Sequence, residues 1–308
     1  MSSIPSATPS GRLGLGRQML NKVPEVTLYF WLIKCLCTTI GETFSDNLVS
    51  KWAPGGDNAS PHELQIALWK VTGCTAVVLL ILLAIQFTRK KYKAPVYWAN
   101  IVVISLVGTQ ITDLFEGQGD TPNNMWAITI VSLTLLAAVF AVWYASERTL
   151  SMHSIVTTRR EAFYWLAILT TFATGTAVGD LLAEKLSMGY LTTLLLFVAV
   201  IAVIALLWKF TPINGVLAFW LAYVMTRPLG ASTGDFLSQK GSGGLNLGTS
   251  VTSYIFLAAI VVLVTYLTIA KPDQTPRELI EADETIHPSV HPHAHEQGHI
   301  GGLLTEDV

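Results

Sequence analysis

Residues 30–46 read Phe-Trp-Leu-Ile-Lys-Cys-Leu-Cys-Thr-Thr-Ile-Gly-Glu-Thr-Phe-Ser-Asp. The frame inside that stretch is an aromatic residue and Trp, nine residues, Gly, four residues and Asp. It recurs without a gap as Tyr97-Trp98…Gly108…Asp113, Tyr164-Trp165…Gly175…Asp180 and Phe219-Trp220…Gly230…Asp235. Four copies at fixed internal spacing mark a repeat architecture, in which each unit buries its face against its neighbours.

Each copy lies in an apolar run long enough to span a bilayer. The runs fall at about 26–47, 64–87, 95–115, 125–145, 162–183, 187–208, 213–238 and 249–270. The chain is 51% hydrophobic with a mean hydropathy of +0.50, and only 13% of its 308 residues are charged. A soluble chain carries about 25%, so the bilayer is the expected solvent. Hydrocarbon offers no hydrogen bonds to a bare backbone, so the runs must be helices. The expected fold is all-α: eight transmembrane helices arranged as four parallel two-helix repeats. Residues 1–24 read as a cytoplasmic arm and 25–271 as the membrane domain, with repeats at about 25–90, 91–158, 159–210 and 211–271. Residues 272–308 read as a disordered, His-rich cytoplasmic tail.

Basic residues set the orientation. Thirteen flank the even-numbered connections and the ends, among them Arg12, Arg89, Lys90, Arg159 and Lys271; the alternate loops hold only Lys51, Lys185 and Lys240. Both termini are therefore expected in the cytoplasm. A unit of two helices returns the chain to the same side, so the repeats are parallel. The four Trp residues should then form an aromatic belt at the cytoplasmic interface. The four Asp residues should share one depth near the opposite ends, about 22 Å away along the axis at 1.5 Å per residue. Gly41, Gly108, Gly175 and Gly230 read as helix-packing positions, extended to GxxxG at Gly175–Gly179 and Gly230–Gly234.

The aspartates need a further account, because a mid-membrane carboxylate costs about 2.5–3.5 kcal/mol on insertion scales. Asp46, Asp113, Asp180 and Asp235 either reach out to the outer surface or cap the next segment, or, at one depth, line a cavity. Four clustered carboxylates cannot all ionise without a counter-charge, so they hold protons or a cation. Oxygen ligands suit hard divalent ions, with Glu42, Ser45, Thr109, Thr112 and Thr176 as helpers. Glu42 occurs in the first copy alone, which points to an asymmetric site weighted toward copies one and two. Lys34, Lys70 and Arg227 are in-helix cations that could pair with these carboxylates or act as a gate; Lys70 is placed to pair with Asp46 or Glu42. His287, His291, His293, His295 and His299 in the tail are a compositional hint of metal handling.

Cys35, Cys37 and Cys74 form no CxxC pair, so neither a disulfide framework nor a zinc knuckle is expected. No nucleotide-binding glycine loop, nucleophile set or HExxH occurs, and an enzyme is not expected. The net charge of −2 gives no sign of nucleic-acid binding. The expected partners are the lipid bilayer and a small ion or solute, with homo-oligomerisation open. No resident cofactor is expected, beyond a divalent metal ion bound as substrate.

The fourfold frame resembles that of bacterial membrane proteins built from a repeat of unknown function, over about residues 22–270. The resemblance implies an inner-membrane protein of a bacterium. The Gly-Asp pairs are more distantly similar to the acidic motifs of small Ca²⁺ and Mn²⁺ exporters, which differ in having an inverted repeat and a basic residue after the Asp. The expected function is a proton-coupled secondary transporter that exports a divalent metal cation. Transport of an organic or anionic solute, and a membrane-anchored regulatory or scaffold protein with internally paired charges, are the alternatives.

Overall fold

In the computed structural model, the described residues are 22–89, 91–117, 125–152, 155, 157–240 and 243–273. They form eight long helices and no strand: α1 Leu28–Trp52, α2 Pro61–Thr88, α3 Ala94–Glu116, α4 Met125–Glu147, α5 Thr158–Asp180, α6 Tyr190–Phe210, α7 Gly215–Ser238 and α8 Thr249–Ala270. A π-helical turn, Leu181–Lys185, continues α5. The starts follow local chemistry. Thr27, Thr157 and Asn214 each accept a hydrogen bond from a first-turn amide. Ser60 and Glu63 form a capping box around Pro61. Gly189 and Gly248 turn the chain into α6 and α8 with φ of 75° and 83°, a region open to glycine.

The odd helices form a closed ring, with α1 against α3, α3 against α5, α5 against α7 and α7 back against α1. Each even helix packs on the outside of the odd helix that follows it: α2 on α3, α4 on α5, α6 on α7 and α8 on α1. The spatial pair is therefore shifted by one helix from the pair that repeats along the chain.

Among the described residues, six helices are long and apolar enough to cross a membrane, which makes the chain a multi-pass membrane protein. The outer ones have mean hydropathy 2.2–2.8 and show most of their surface. Inner α3 and α5 reach only 1.4 and 1.5 and are mostly buried. Helices α1 and α7 fall outside the six. They carry Lys34, Glu42 and Asp46, and Arg227 and Asp235, and such residues face partners inside the ring rather than hydrocarbon.

Candidate functional site

The motif glycines explain how the ring closes. A Cβ on Gly41 would overlap the side chain of Ser105; on Gly108, that of Phe172; on Gly175, that of Arg227; on Gly230, that of Thr38. In every copy the intruding residue lies three positions before the glycine of the next copy. Four identical contacts running α1→α3→α5→α7→α1 define a pseudo-fourfold ring, not two pairs of repeats. Within the GxxxG pairs the second glycines differ. A Cβ on Gly234 would lie 3.0 Å from Thr43, whereas one on Gly179 would stay 3.8 Å from its neighbours.

One end of the ring is closed by the aromatic pairs. Phe30 packs on Trp98 (5.7 Å between ring centroids), Tyr97 on Trp165 (5.6 Å), Tyr164 on Trp220 (6.2 Å) and Phe219 on Trp31 (5.7 Å). The expected interfacial belt is therefore corrected. Trp98, Trp165 and Trp220 are buried inside the ring and Trp31 is half-buried, because large rings gain more from packing on the next copy than from a headgroup layer. Trp52, Trp69, Trp126 and Trp208 are the exposed ones. The Tyr97 and Tyr164 hydroxyls meet at 2.5 Å. Outside this layer the buried pair Lys22–Glu161 (2.6 Å) ties the segment before α1 to the first turn of α5. The Tyr92 hydroxyl donates to Asp273 (2.6 Å), and burial pushes that carboxyl up from the ordinary range although the hydrogen bond works against it.

Above the aromatic layer two cations occupy the centre. Lys34 Nζ is fully buried between the rings of Phe172 (4.2 Å) and Tyr223 (4.3 Å), with no hydrogen-bond partner. Arg227, also fully buried, stands where the other copies have Thr38, Ser105 and Phe172. Its guanidinium reaches the residue just after the motif glycine in each of the other three copies. It pairs with Glu42 (2.9 Å) and donates to Thr176 Oγ1 (2.7 Å) and to the Thr109 hydroxyl. It also donates to the carbonyls of Thr38 (2.7 Å) and Phe172 (3.3 Å). One residue of the fourth copy thus binds the other three together.

Beyond Arg227 lies a cavity of about 520 Å³. Asp46, Asp113, Asp180 and Asp235 all line it, with Glu42 beside Arg227 and with Glu116 and Glu184 toward the helix ends. Among the described residues, Glu42 alone of these seven has a basic partner. Asp46 accepts from Gln239 (2.9 Å) and Glu184 from the Tyr190 hydroxyl (3.1 Å). Glu116 is 8% exposed and keeps one carboxylate oxygen without any hydrogen-bond partner. Among the described residues, no group of three or more His, Cys, Asp or Glu side chains is arranged to hold a metal ion.

Several sequence expectations change here. Thr109 and Thr176 are taken up by Arg227, and Thr112 donates to the carbonyls of Gly108 and Ala173 between α3 and α5. Ser45 is buried, lacks a partner and does not line the cavity. Lys70 is exposed on α2 and makes no pair with Asp46 or Glu42; α7 packs directly on α1 and brings Arg227 to Glu42 instead. Each copy contributes its Asp and a second polar residue, while Val49, Ser50, Leu64, Leu68, Gly117 and Met125, all from copies one and two, complete the wall, so the site is weighted toward those copies. The second residues are Glu42, Glu116, Glu184 and Gln239. Glu116 and Glu184 were missed because they lie outside the repeated frame, three and four residues after its Asp. Arg227 was legible in the sequence as a charge partner, and it is the one cation in the column three residues before the glycine. The five tail histidines lie outside the described residues.

A family model described as Repeat of Unknown Function (DUF347) matches the chain four times, over residues 29–92, 96–149, 163–214 and 218–272. No curated protein and no solved structure matches the chain. The chain belongs to this repeat family.

Proposed function

We propose that this member of the repeat family is a secondary transporter of a cation, loaded in the acid-lined cavity and exchanged for protons. One observation carries it: seven carboxylates line one cavity, and among the described residues a single one of them, Glu42, has a basic partner. Carboxylates crowded into one cavity hold either protons or a cation, and replacing one by the other is the elementary step of exchange.

The ring gives that step a direction along its axis. A cation at the cavity floor competes with Arg227 for Glu42. When Arg227 lets go, the three copies it ties together are free to part, and the aromatic layer beneath can open. Lys34, on the same axis, bars an unescorted cation from crossing. All eight helices then cross the inner membrane of a bacterium with both termini in the cytoplasm. Helices α1 and α7 are less apolar because they spend their polar residues on the ring's interior. The cavity faces outward in this state, and export follows the basic, cytoplasmic side to the acidic, outer one. A divalent metal ion as substrate would keep much of its water shell, given the absence of a chelating group among the described residues.

Two other roles fit less well. An anionic solute would need cations facing the cavity, yet Lys34 is enclosed by rings, Lys70 faces outward and Arg227 is buried and already paired with Glu42. A scaffold with internally paired charges would need partners for the aspartates, and among the described residues none has a basic one.

The test is counterflow in proteoliposomes with a trapped pH dye, offering Mn²⁺, Mg²⁺ and spermidine in turn. A cation-driven proton flux that falls at least about tenfold in Asp46→Asn, Asp113→Asn, Asp180→Asn and Asp235→Asn is expected. Wild-type flux in all four variants would sink the proposal.

A further inference from the structure

We infer that the cation is an aliphatic polyamine rather than a metal ion. This rests on the cation-transport reading above and narrows its substrate.

A divalent metal needs several oxygen ligands at about 2.0–2.6 Å from one point, and among the described residues no three acidic groups meet that demand. The cavity of about 520 Å³ falls in the roughly 300–1,000 Å³ range of sites that enclose whole organic molecules. Its wall is mixed. Val49, Leu64, Leu68 and Met125 share it with the carboxylates, and a hydrated metal ion gains nothing from apolar surface. A chain of methylenes carrying two or more ammonium groups gains from both. Each ammonium pairs with a separate carboxylate, so no chelating cluster is needed, and the methylenes cover the Leu and Val side chains.

Two further observations point the same way. Glu116 is buried and lines the cavity with one oxygen unpartnered, a cost that a buried carboxylate normally avoids. An ammonium donor satisfies it. The ring also shows, in Arg227, how it holds a nitrogen cation: one carboxylate, two threonine hydroxyls and two backbone carbonyls. That is a hydrogen-bonding grip on N–H donors, built from the same helices that line the cavity above it.

Binding is measured by titration calorimetry on the full chain in detergent at constant ionic strength, with spermidine, hexylamine, Mn²⁺ and Mg²⁺ as probes. Spermidine is expected to bind at least about tenfold more tightly than hexylamine or either metal, since it alone engages several carboxylates and the apolar wall. Glu116→Gln should weaken spermidine about tenfold, with the melting temperature confirming that the variant is folded. Leu64→Ser should weaken spermidine several-fold and leave Mn²⁺ unchanged, a split that loss of fold would not produce. Mn²⁺ or Mg²⁺ binding as tight as spermidine overturns the polyamine assignment and leaves cation transport standing. No binding by any of the four probes, joined to absence of flux in proteoliposomes, overturns both.

Discussion

The two ends of the inner ring use the same four helices for opposite purposes. At the aromatic end the four copies are near-equivalent: each aromatic residue packs on the Trp of the next copy, and the circle closes with Phe219 on Trp31. At the acid end each copy again contributes its Asp, but there the side chains line open space instead of one another. Apolar rings attract at contact and fill the axis. Carboxylates repel one another when ionised, so this end of the axis takes up protons or a cation rather than closing on itself. The symmetry breaks between the two ends, where Arg227 takes a position that Thr38, Ser105 and Phe172 hold in the other copies.

Removing that boundary should have the largest effect. Arg227→Met leaves Glu42 buried without its partner, and should destabilise the protein by about 3–5 kcal/mol. Adding Glu42→Gln should recover much of the loss, as read from the midpoint of unfolding in mixed detergent micelles. If the double variant is no more stable than the single one, the pair is not what holds the middle layer. Next in size is the packing that both ends share. Gly175→Ala would put a Cβ 2.6 Å from that of Arg227 and 2.9 Å from Pro228, at a cost of about 1–3 kcal/mol. Gly179→Ala, with its nearest neighbours at 3.8 Å, should be neutral or slightly stabilising, since Ala is the better helix former by about 1 kcal/mol. Equal losses for the two would mean that the ring contact is looser than described. Smallest is Tyr164→Phe, which removes one hydroxyl of the 2.5 Å pair with Tyr97. It should cost about 1 kcal/mol and leave cation binding at the acid end unchanged.

Helices and repeats were legible in the sequence because each depends on local pattern. Hydrophobic length marks a spanning run, and the Gly-x4-Asp spacing marks a shared depth. Glu42 also stood out, as an acidic residue in one copy alone. The ring order, by contrast, had no local signature. Parallel repeats can close as one ring or as two pairs, and the shift of each even helix onto the next odd one is settled only by packing. The same holds for the threonines. Thr109 and Thr176 look like free oxygen ligands until Arg227, 118 and 51 residues away along the chain, is brought within hydrogen-bonding distance. Glu116 and Glu184 escaped for a different reason: a carboxylate at a helix end reads as an ordinary surface residue until the ends of four helices converge.

What the sequence determined by itself was the number of helices, the fourfold frame and the common depth of its aspartates. Those follow from the period of the helix and the cost of polar groups in lipid, which act on every residue where it stands. Only the tertiary structure decided that Glu116 and Glu184 join the aspartates at one cavity, that Trp98, Trp165 and Trp220 turn inward, and that Arg227 rather than Lys70 answers Glu42. Those outcomes depend on which surfaces meet, and the close approach at Gly41, Gly108, Gly175 and Gly230 selects one arrangement among several that the same runs of apolar residues would allow.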